Sequence, residues 1–531
     1  MQNSLLKCAV VGALGSVFLA TAAAAQQPGG RGGRGGPPGA GGATADTAVG
    51  VAAVEHVATT HHTANIDGKS IGYTANAGTM IVRDADGKPK GTVFYVSYTR
   101  DQTDAATRPV TFFFNGGPGS ASIWLSMGLM SPKHPEMGPN GSQPAPPYNL
   151  VDNPYSPLDQ TDLVQVDAMM TGYSRPAPGV KVSEFTGASN DLSMFGQFIR
   201  NYLDKYNRWA SPKYLYGESY GTFRSAGLAS ELQSSEGIEL NGIMLLGTVL
   251  DLANIQPAPS NDIPYESFLP TYTATAWYHK KLPADLQGKS LEQVVQQARV
   301  FAFGDYMTAL AKGNTLTQAE RNTVAQQTAR LTGLSPSFIV STNLRIDPGV
   351  FRTELLRNER EIVGRYDSRM IGINGNPSSQ RQDYDPSDVA PAGAFMAAYM
   401  RYLHGDLNYT NDLQYYTGGH AGRWDYTGLG GGGNLGAGFP STSEMLRTAM
   451  AKDPYLHVMV GAGYYDMATP FANAEYTFDH LGYDKTYRDR VQFKYYKSGH
   501  MAYLNQESAK ELKNDIVKFI QSTERMSNLT P

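Results

Sequence analysis

The chain is almost without cysteine. Among 531 residues only Cys8 carries a thiol, so no intramolecular disulfide can form, and beyond residue 8 cysteine nucleophiles and cysteine metal sites are excluded. Stability has to come from burial, and a chain of this length can bury a large core. A long basic run is also missing: 44 Lys and Arg stand against 48 Asp and Glu, a formal net charge of -4. Nucleic acid is therefore not an expected partner. After the first 25 residues no stretch is long and apolar enough to span a bilayer.

Those first residues have the layout of an export signal. Lys7 supplies a short basic region, Ala9 to Ala20 an apolar one, and Ala22 to Ala25 a small-residue cleavage site. Lys7 directly before Cys8 argues against a lipid anchor. A signal peptide is expected at 1–25, and with it removed the protein would be exported, periplasmic or secreted, without a thiol or a stable membrane span. Residues 26–50 are rich in Gly, Pro and Arg and lack apolar side chains to offset ordering entropy, so they read as a disordered linker.

Ile71 to Tyr73, Thr79 to Arg83 and Thr92 to Tyr98 are strand-like, with a turn at Asp84-Ala85-Asp86-Gly87, which predicts an antiparallel start. Val110 to Phe114, Leu163 to Val166 and Ile243 to Leu246 are continuous apolar runs suited to strands buried on both faces. Between the last two, Leu192, Phe195, Phe198, Ile199, Tyr202 and Leu203 recur at helical spacing, with Ser189 or Asn190 as cap. Alternating strands and helices predict a parallel sheet with right-handed crossovers. The pattern stops near Leu252 and resumes with Leu456 to Val460, Phe471 to His480, Val491 to Tyr496 and Ser508 to Ile520. The expected organisation is a core at 51–252 and 444–525, interrupted by a helical insertion, or cap, at 253–443.

Tyr214 to Phe223 contains Gly217-Glu218-Ser219-Tyr220-Gly221, a Gly-x-Ser-x-Gly motif between an apolar run and a helix-compatible one. Such a turn lifts a serine hydroxyl above the sheet edge and leaves no room for side chains at the flanking glycines. Alone, the motif also fits an ordinary strand-to-helix turn that contains a serine. Sites in open α/β sheets gather at strand ends. There the chain offers Asp466, after Leu456 to Val460, and His500, after Val491 to Tyr496; Asp453 and Asp479 are worse placed. The order Ser219, Asp466, His500 is that of an α/β-hydrolase triad, with His500 as base and Asp466 holding its tautomer.

Four motifs in this order resemble the serine carboxypeptidases. They are Asn115-Gly116-Gly117-Pro118-Gly119-Ser120, the Ser219 pentapeptide, Gly463 to Pro470 around Asp466, and Gly499-His500-Met501. Asp167 to Ser174, Leu240 to Asp251 and, in the insertion, Gly364-Arg365-Tyr366-Asp367-Ser368-Arg369 are similar to further family segments. The resemblance implies an α/β-hydrolase fold, a mostly parallel sheet flanked by helices, and removal of C-terminal residues from peptides through an acyl-enzyme on Ser219. It implies the Gly117 and Tyr220 N–H groups as oxyanion hole, and Asn115, the Gly116 N–H and Glu218 as binders of the substrate's free C-terminal carboxylate. Asn115 and Glu218 also fit as braces of the loop and the turn. No metal or organic cofactor is implied.

The chain departs from the family pattern at Phe113, where a tryptophan is usual, and at Asp167-Ala168-Met169-Met170, which lacks the customary proline and glycine. Leu129 stands where many members have a second glutamate; the nearest candidate is Glu136. Tyr503 stands where many have proline. Esterase, aminopeptidase or acyltransferase activity on the same triad, or a binding protein that keeps the fold, are the rival readings. A peptide with a free C-terminus is the expected partner; the sequence leaves oligomeric state open.

Overall fold

Val110–Phe114 is buried at every position, a pattern that requires helices on both sides of a strand. The computed structural model describes residues 50–426, 429, 440–482 and 485–527. The expected signal peptide (1–25) and, apart from Gly50, the linker (26–50) lie outside them. The main sheet has ten strands. Nine form a continuous path: β1 (Val57–Ile66), β2 (Lys69–Arg83), β3 (Pro89–Arg100), β4 (Val110–Phe114), β5 (Asp162–Val166), β6 (Lys213–Glu218), β7 (Gly242–Leu246), β8 (His457–Gly463) and β9 (Val491–Tyr496). The tenth, Arg175–Pro176, pairs with β3. The spatial order is β1-β2-β3-β5-β4-β6-β7-β8-β9. Pairs from β1 to β5 are antiparallel, and pairs from β5 to β9 are parallel.

The antiparallel start is larger than the sequence predicts. Ile71 to Tyr73 and Thr79 to Arg83 belong to one 15-residue strand, β2. The small and polar residues Ala75 to Gly78 between them have weak strand preference and are held extended by ladders to both β1 and β3. β1 was not visible because it is a half-exposed edge with polar residues on both faces. The turn at Asp84 forms as expected: Asp84 Oδ1 accepts from the Asp86 and Lys88 N–H groups at 3.0 and 2.8 Å.

In the parallel half, alternate side chains feed two apolar layers. Phe112, Phe114 and Leu215 enter one layer, shared with helices α1 (Ala188–Lys205) and α2 (Tyr220–Glu231). Phe113, Tyr214 and Tyr216 enter the other, shared with α3 (Pro386–Arg401) and α4 (Gln506–Ser527). Helix α1 begins earlier than expected: Ser189 and Asn190 lie inside its first turn, and the cap position is Gly187. Asp191 lies in the first turn, where it faces Arg224 of α2. Within 253–443, the helices from Ile263–Tyr278 to Pro348–Glu354 enclose an apolar cluster of their own, around Phe268, Tyr272, Val294, Leu310 and Phe351. Phe395 to Tyr415 pack instead into the second layer of the sheet. Glu361–Val363 and Ile371–Ile373 form a small hairpin that a reading of helices and loops misses. The strand order, the parallel crossovers and a sharp turn after β6 make this an α/β-hydrolase fold.

Candidate active site

Glu218 ends β6, and α2 starts at Tyr220. Ser219 between them has φ 61° and ψ -129°, a conformation that costs a non-glycine residue about 1–3 kcal/mol and persists only where the surroundings fix it. A Cβ on Gly217 would run into the Gly221 carbonyl oxygen, and one on Gly221 would lie 2.7 Å from the Phe114 oxygen. The Ser219 N–H donates to the Leu246 carbonyl at 3.0 Å, tying the turn to the end of β7. Ser219 is half-buried, whereas Glu218 and Tyr220 on either side are buried.

His500 and Asp466, from the ends of β9 and β8, meet with Nδ1 and Oδ2 2.7 Å apart. Asp466 is completely buried and fully hydrogen-bonded. Its Oδ1 accepts from the Ala468 and Thr469 N–H groups at 2.7 and 2.9 Å, and its Oδ2 accepts from Thr469 Oγ1 at 2.8 Å as well as from the histidine. With Nδ1 donating to Asp466, Nε2 is left as the basic nitrogen. Burial alone would lower the His500 pKa, but the charge and hydrogen bond of Asp466 outweigh it and hold the value above the ordinary one. Gly247, which follows the residue bonded to Ser219, lies against this ring: a Cβ there would be 2.7 Å from Nδ1 and Cε1. Ser219 Oγ makes no hydrogen bond to a described residue, and such contacts often tighten only when substrate binds.

The Gly364 to Arg369 segment of the insertion runs between the two loops that carry Asp466 and His500. The Arg365 carbonyl accepts from the Met467 N–H at 3.0 Å, the Tyr366 carbonyl from the His500 N–H at 2.6 Å, and Arg369 Nη1 donates to the Lys497 carbonyl at 2.6 Å. The Tyr366 ring lies 5.4 Å from the imidazole. A Cβ on Gly499 would collide with the Tyr366 oxygen.

The loop after β4 folds back onto the start of α2. A Cβ on Gly116 would strike the Tyr220 nitrogen. Gly117 is exposed and has φ 108°, open to glycine alone without strain. No described residue accepts from the Gly117 or Tyr220 N–H. The loop is clamped from behind by Ser122, whose hydroxyl donates to the Val166 carbonyl at 2.6 Å and whose N–H donates to the buried Asp167 carboxyl at 2.7 Å. Burial pushes Asp167 up to about 6. Arg224 is also buried; it grips Asp191 through Nε and Nη2 at 2.7 and 3.1 Å and donates from Nη1 to the Asn115 carbonyl at 2.8 Å.

Asn115 Nδ2 donates to Glu218 Oε1 at 2.7 Å, and Asn115 Oδ1 accepts from the Leu125 N–H at 2.8 Å. Burial pushes the Glu218 carboxyl up to about 7, with Asp466 adding to the rise and His500, the Tyr503 hydroxyl and Asn115 opposing it. Oε2 of Glu218 has no partner in good hydrogen-bond geometry among the described residues. The structure thus gathers Asn115, Gly116, Gly117, Glu218, Ser219 and Tyr220 around one turn, with the Asp466–His500 pair beside Gly247. Glu136 is not part of this group; it is exposed just after the short strand Lys133–Pro135, and its carboxylate accepts from Asn149. Leu129 is buried in the second apolar layer. Sequence reasoning missed Arg224, and met Thr469, Gly247 and Asp167 only inside family segments, with no role of their own. It met Tyr366 and Tyr503 only as a family segment and a departure.

A family model described as serine carboxypeptidase matches residues 71–392. That span holds the Asn115 loop and Ser219 and ends before Asp466 and His500. A carboxypeptidase Y homolog of Arthroderma benhamiae is 30% identical over 153 residues, 28% of each chain. A probable serine carboxypeptidase of the same organism is 28% identical over 144 residues, 25% of each chain. The chain therefore spans about a quarter of the length of the curated relatives it matches. Solved structures similar to it include esterase E22, at 11% identity and TM-score 0.33 over 88% of this chain and all of that one, and a thermostable carboxyl esterase from Bacillus coagulans, at 12% and 0.32 over 84% and 98%. No helix of the described residues is long and apolar enough to cross a membrane, and among them no group of three or more His, Cys, Asp or Glu could hold a metal ion. With its model covering more than half of the sequence, the chain belongs to the serine carboxypeptidase family.

Proposed function

We propose that the protein is an exported hydrolase that removes C-terminal residues from peptides through an acyl-enzyme on Ser219. The observation that carries the reading is Glu218: a buried acid next to a solvent-reaching serine, with a pKa raised to about 7. Below that pH it is neutral and can donate a hydrogen bond to a carboxylate; above it two like charges would share the site. A peptide terminus held by the Glu218 carboxyl, Asn115 and the Gly116 N–H places its last peptide bond at Ser219.

Ser219 Oγ then attacks the carbonyl carbon while His500 Nε2 takes its proton. Negative charge collects on the carbonyl oxygen, where the Gly117 and Tyr220 N–H groups and the positive end of α2 stabilise it. His500 returns the proton to the leaving nitrogen, the C–N bond breaks, and the terminal amino acid departs. Water adds to the ester with His500 again as base, and Ser219 recovers its proton as the shortened peptide leaves. Asp466 keeps the imidazole in the right tautomer and stabilises its charged form throughout. Export rests on the residue pattern from Lys7 to Ala25; N-terminal sequencing of secreted or periplasmic material should start after that segment.

One panel of substrates tests the reading: a blocked dipeptide as free acid, amide and ester, at about pH 5 where Glu218 is neutral. The acid should be cleaved with a KM well below that of the amide, and the C-terminal amino acid should be released. Equal handling of acid and amide, with the ester fastest, would make the enzyme an esterase instead.

A further inference from the structure

The proposed acyl-transfer groups leave one set of polar atoms unused. Glu218 Oε2 and the Tyr503 hydroxyl are both buried, and neither has a partner in good hydrogen-bond geometry among the described residues, although the hydroxyl lies near enough to favour the ionised carboxyl. Both belong to the same side of the sheet. Glu218 continues the alternation of Tyr214 and Tyr216 on β6, and Tyr503 packs in the layer that those tyrosines enter. The two groups also act on one another's ionisation, Tyr503 on Glu218 and Glu218 on Tyr503.

We propose that the Glu218 carboxyl and the Tyr503 hydroxyl form a two-donor fork for the free C-terminal carboxylate of the peptide substrate. The inference rests on the carboxypeptidase reading above. Asn115 Nδ2 occupies Oε1, so Oε1 is the acceptor and the proton of the neutral acid belongs on Oε2, the oxygen without a partner. Tyr503 is a donor at any working pH, because burial and the neighbouring Glu218 push its ionisation well above the ordinary value. A buried donor left unpaired is destabilising, and an acceptor with two oxygens answers both donors at once. Glu218 is adjacent to Ser219, so an anion held there sits one residue beyond the bond to be cut.

The tyrosine is held in place. It lies in the short turn Ala502–Leu504, directly after His500 and Met501, and its ring packs onto Gly128, where any Cβ would collide with it. Leu129, next along, adds only apolar surface. The groups that face Glu218 are His500, Asp466, Asn115, Tyr216 and Tyr503. Those acting on Tyr503 are Glu218, Tyr216 and Asn115. Of the two unpartnered hydroxyls near Glu218, those of Tyr216 and Tyr503, the second is on the loop that also carries His500.

Tyr503→Phe removes one oxygen and keeps the ring. At about pH 5 it should raise KM for a free-acid dipeptide about tenfold, the worth of one hydrogen bond to a charged group, with kcat close to wild type. The matching amide should be unaffected. Without a hydroxyl to favour its ionised form, Glu218 should also keep its proton to higher pH, and the pH at which acid preference fades should move up. A KM that rises equally for acid and amide, or for neither, overturns the proposal. A wild type without acid preference overturns the carboxypeptidase reading and the proposal with it; a wild type with acid preference that Tyr503→Phe leaves intact overturns the proposal alone. If the variant does not fold, a crystal structure of the wild type with a free amino acid bound decides: Tyr503 Oη within hydrogen-bonding distance of the carboxylate supports it, and contacts from Glu218 and Asn115 alone refute it.

Discussion

Two halves of one site, meeting at Ser219, are built in opposite ways. At the Asp466–His500 half the protein supplies every partner of the carboxylate: both oxygens are taken up by Ala468, Thr469 and the imidazole. At the Glu218–Tyr503 half, Glu218 Oε2 and the hydroxyls of Tyr216 and Tyr503 are buried without a well-placed partner among the described residues. Under the proposed function, the difference follows from what each half would have to do. A base that moves protons during bond breaking works best when its orientation is fixed beforehand, so its neighbours are protein groups. A pocket that selects a charged terminus has to keep bonding capacity for it, at some cost in stability.

The largest effect should come from breaking the fixed half. Ser219→Ala should lose at least about four orders of magnitude in kcat for acid and amide alike, and Ser219→Ala with His500→Ala should be little worse than either alone, because groups acting as a unit are not additive. A fluorophosphonate should label Ser219; if the losses multiplied, or labelling persisted in Ser219→Ala, the two residues would not form a unit.

Gly247→Ala should come next. It strains a residue at φ 61° and sets a methyl 2.7 Å from the His500 ring, and displacing a reacting group by about 1 Å can cost about a hundredfold in kcat. The loss should again be the same for acid and amide, with the fold retained by circular dichroism. A loss confined to the acid would blur the division between the halves.

Glu218→Gln addresses the open half alone. Glutamine keeps the acceptor for Asn115 and donates at every pH, so the acid-over-amide preference should no longer fade as pH rises. At about pH 8 the variant should exceed the wild type about tenfold in that preference, one unit above the Glu218 pKa. An unchanged KM profile would leave Glu218 as a brace.

The smallest effect should be on stability. Glu218 goes from an ordinary 4.5 to about 7 on folding, so the native state binds the extra proton between those values. Its contribution is complete below 4.5 and is lost as pH rises through about 7. Glu218→Gln should therefore gain melting temperature relative to wild type at about pH 8 compared with about pH 5; a difference that does not vary with pH would mean Glu218 stays charged.

The fixed half was legible in the sequence because each piece has a local signature. Apolar runs mark β4, β6, β7 and β8, and Ser219, Asp466 and His500 follow strand ends. What surrounds them was not. Gly247 matters only because a ring from β9 comes to rest on it, and Thr469 only because Asp466 turns back toward it. Tyr366 reaches His500 from inside the insertion. Tyr503 was visible as an unusual residue near His500, but its value depends on Glu218, brought to it by the sheet. β1 stayed hidden because an edge strand with both faces polar has no alternation to read. Ser189 and Asn190 have the chemistry of helix caps, but the helix had already begun at Ala188.

In the proposed function Glu218 is a proton-bearing reader of the substrate's terminus, beside a Ser219 that attacks acid and amide alike. The most direct test is the ratio of kcat/KM for one dipeptide as acid and as amide, in the wild type, across pH. Titration of His500 affects both substrates and cancels. The ratio should be high and level at low pH, then fall about tenfold per unit above about 7. A ratio near one, or one level throughout, would contradict it.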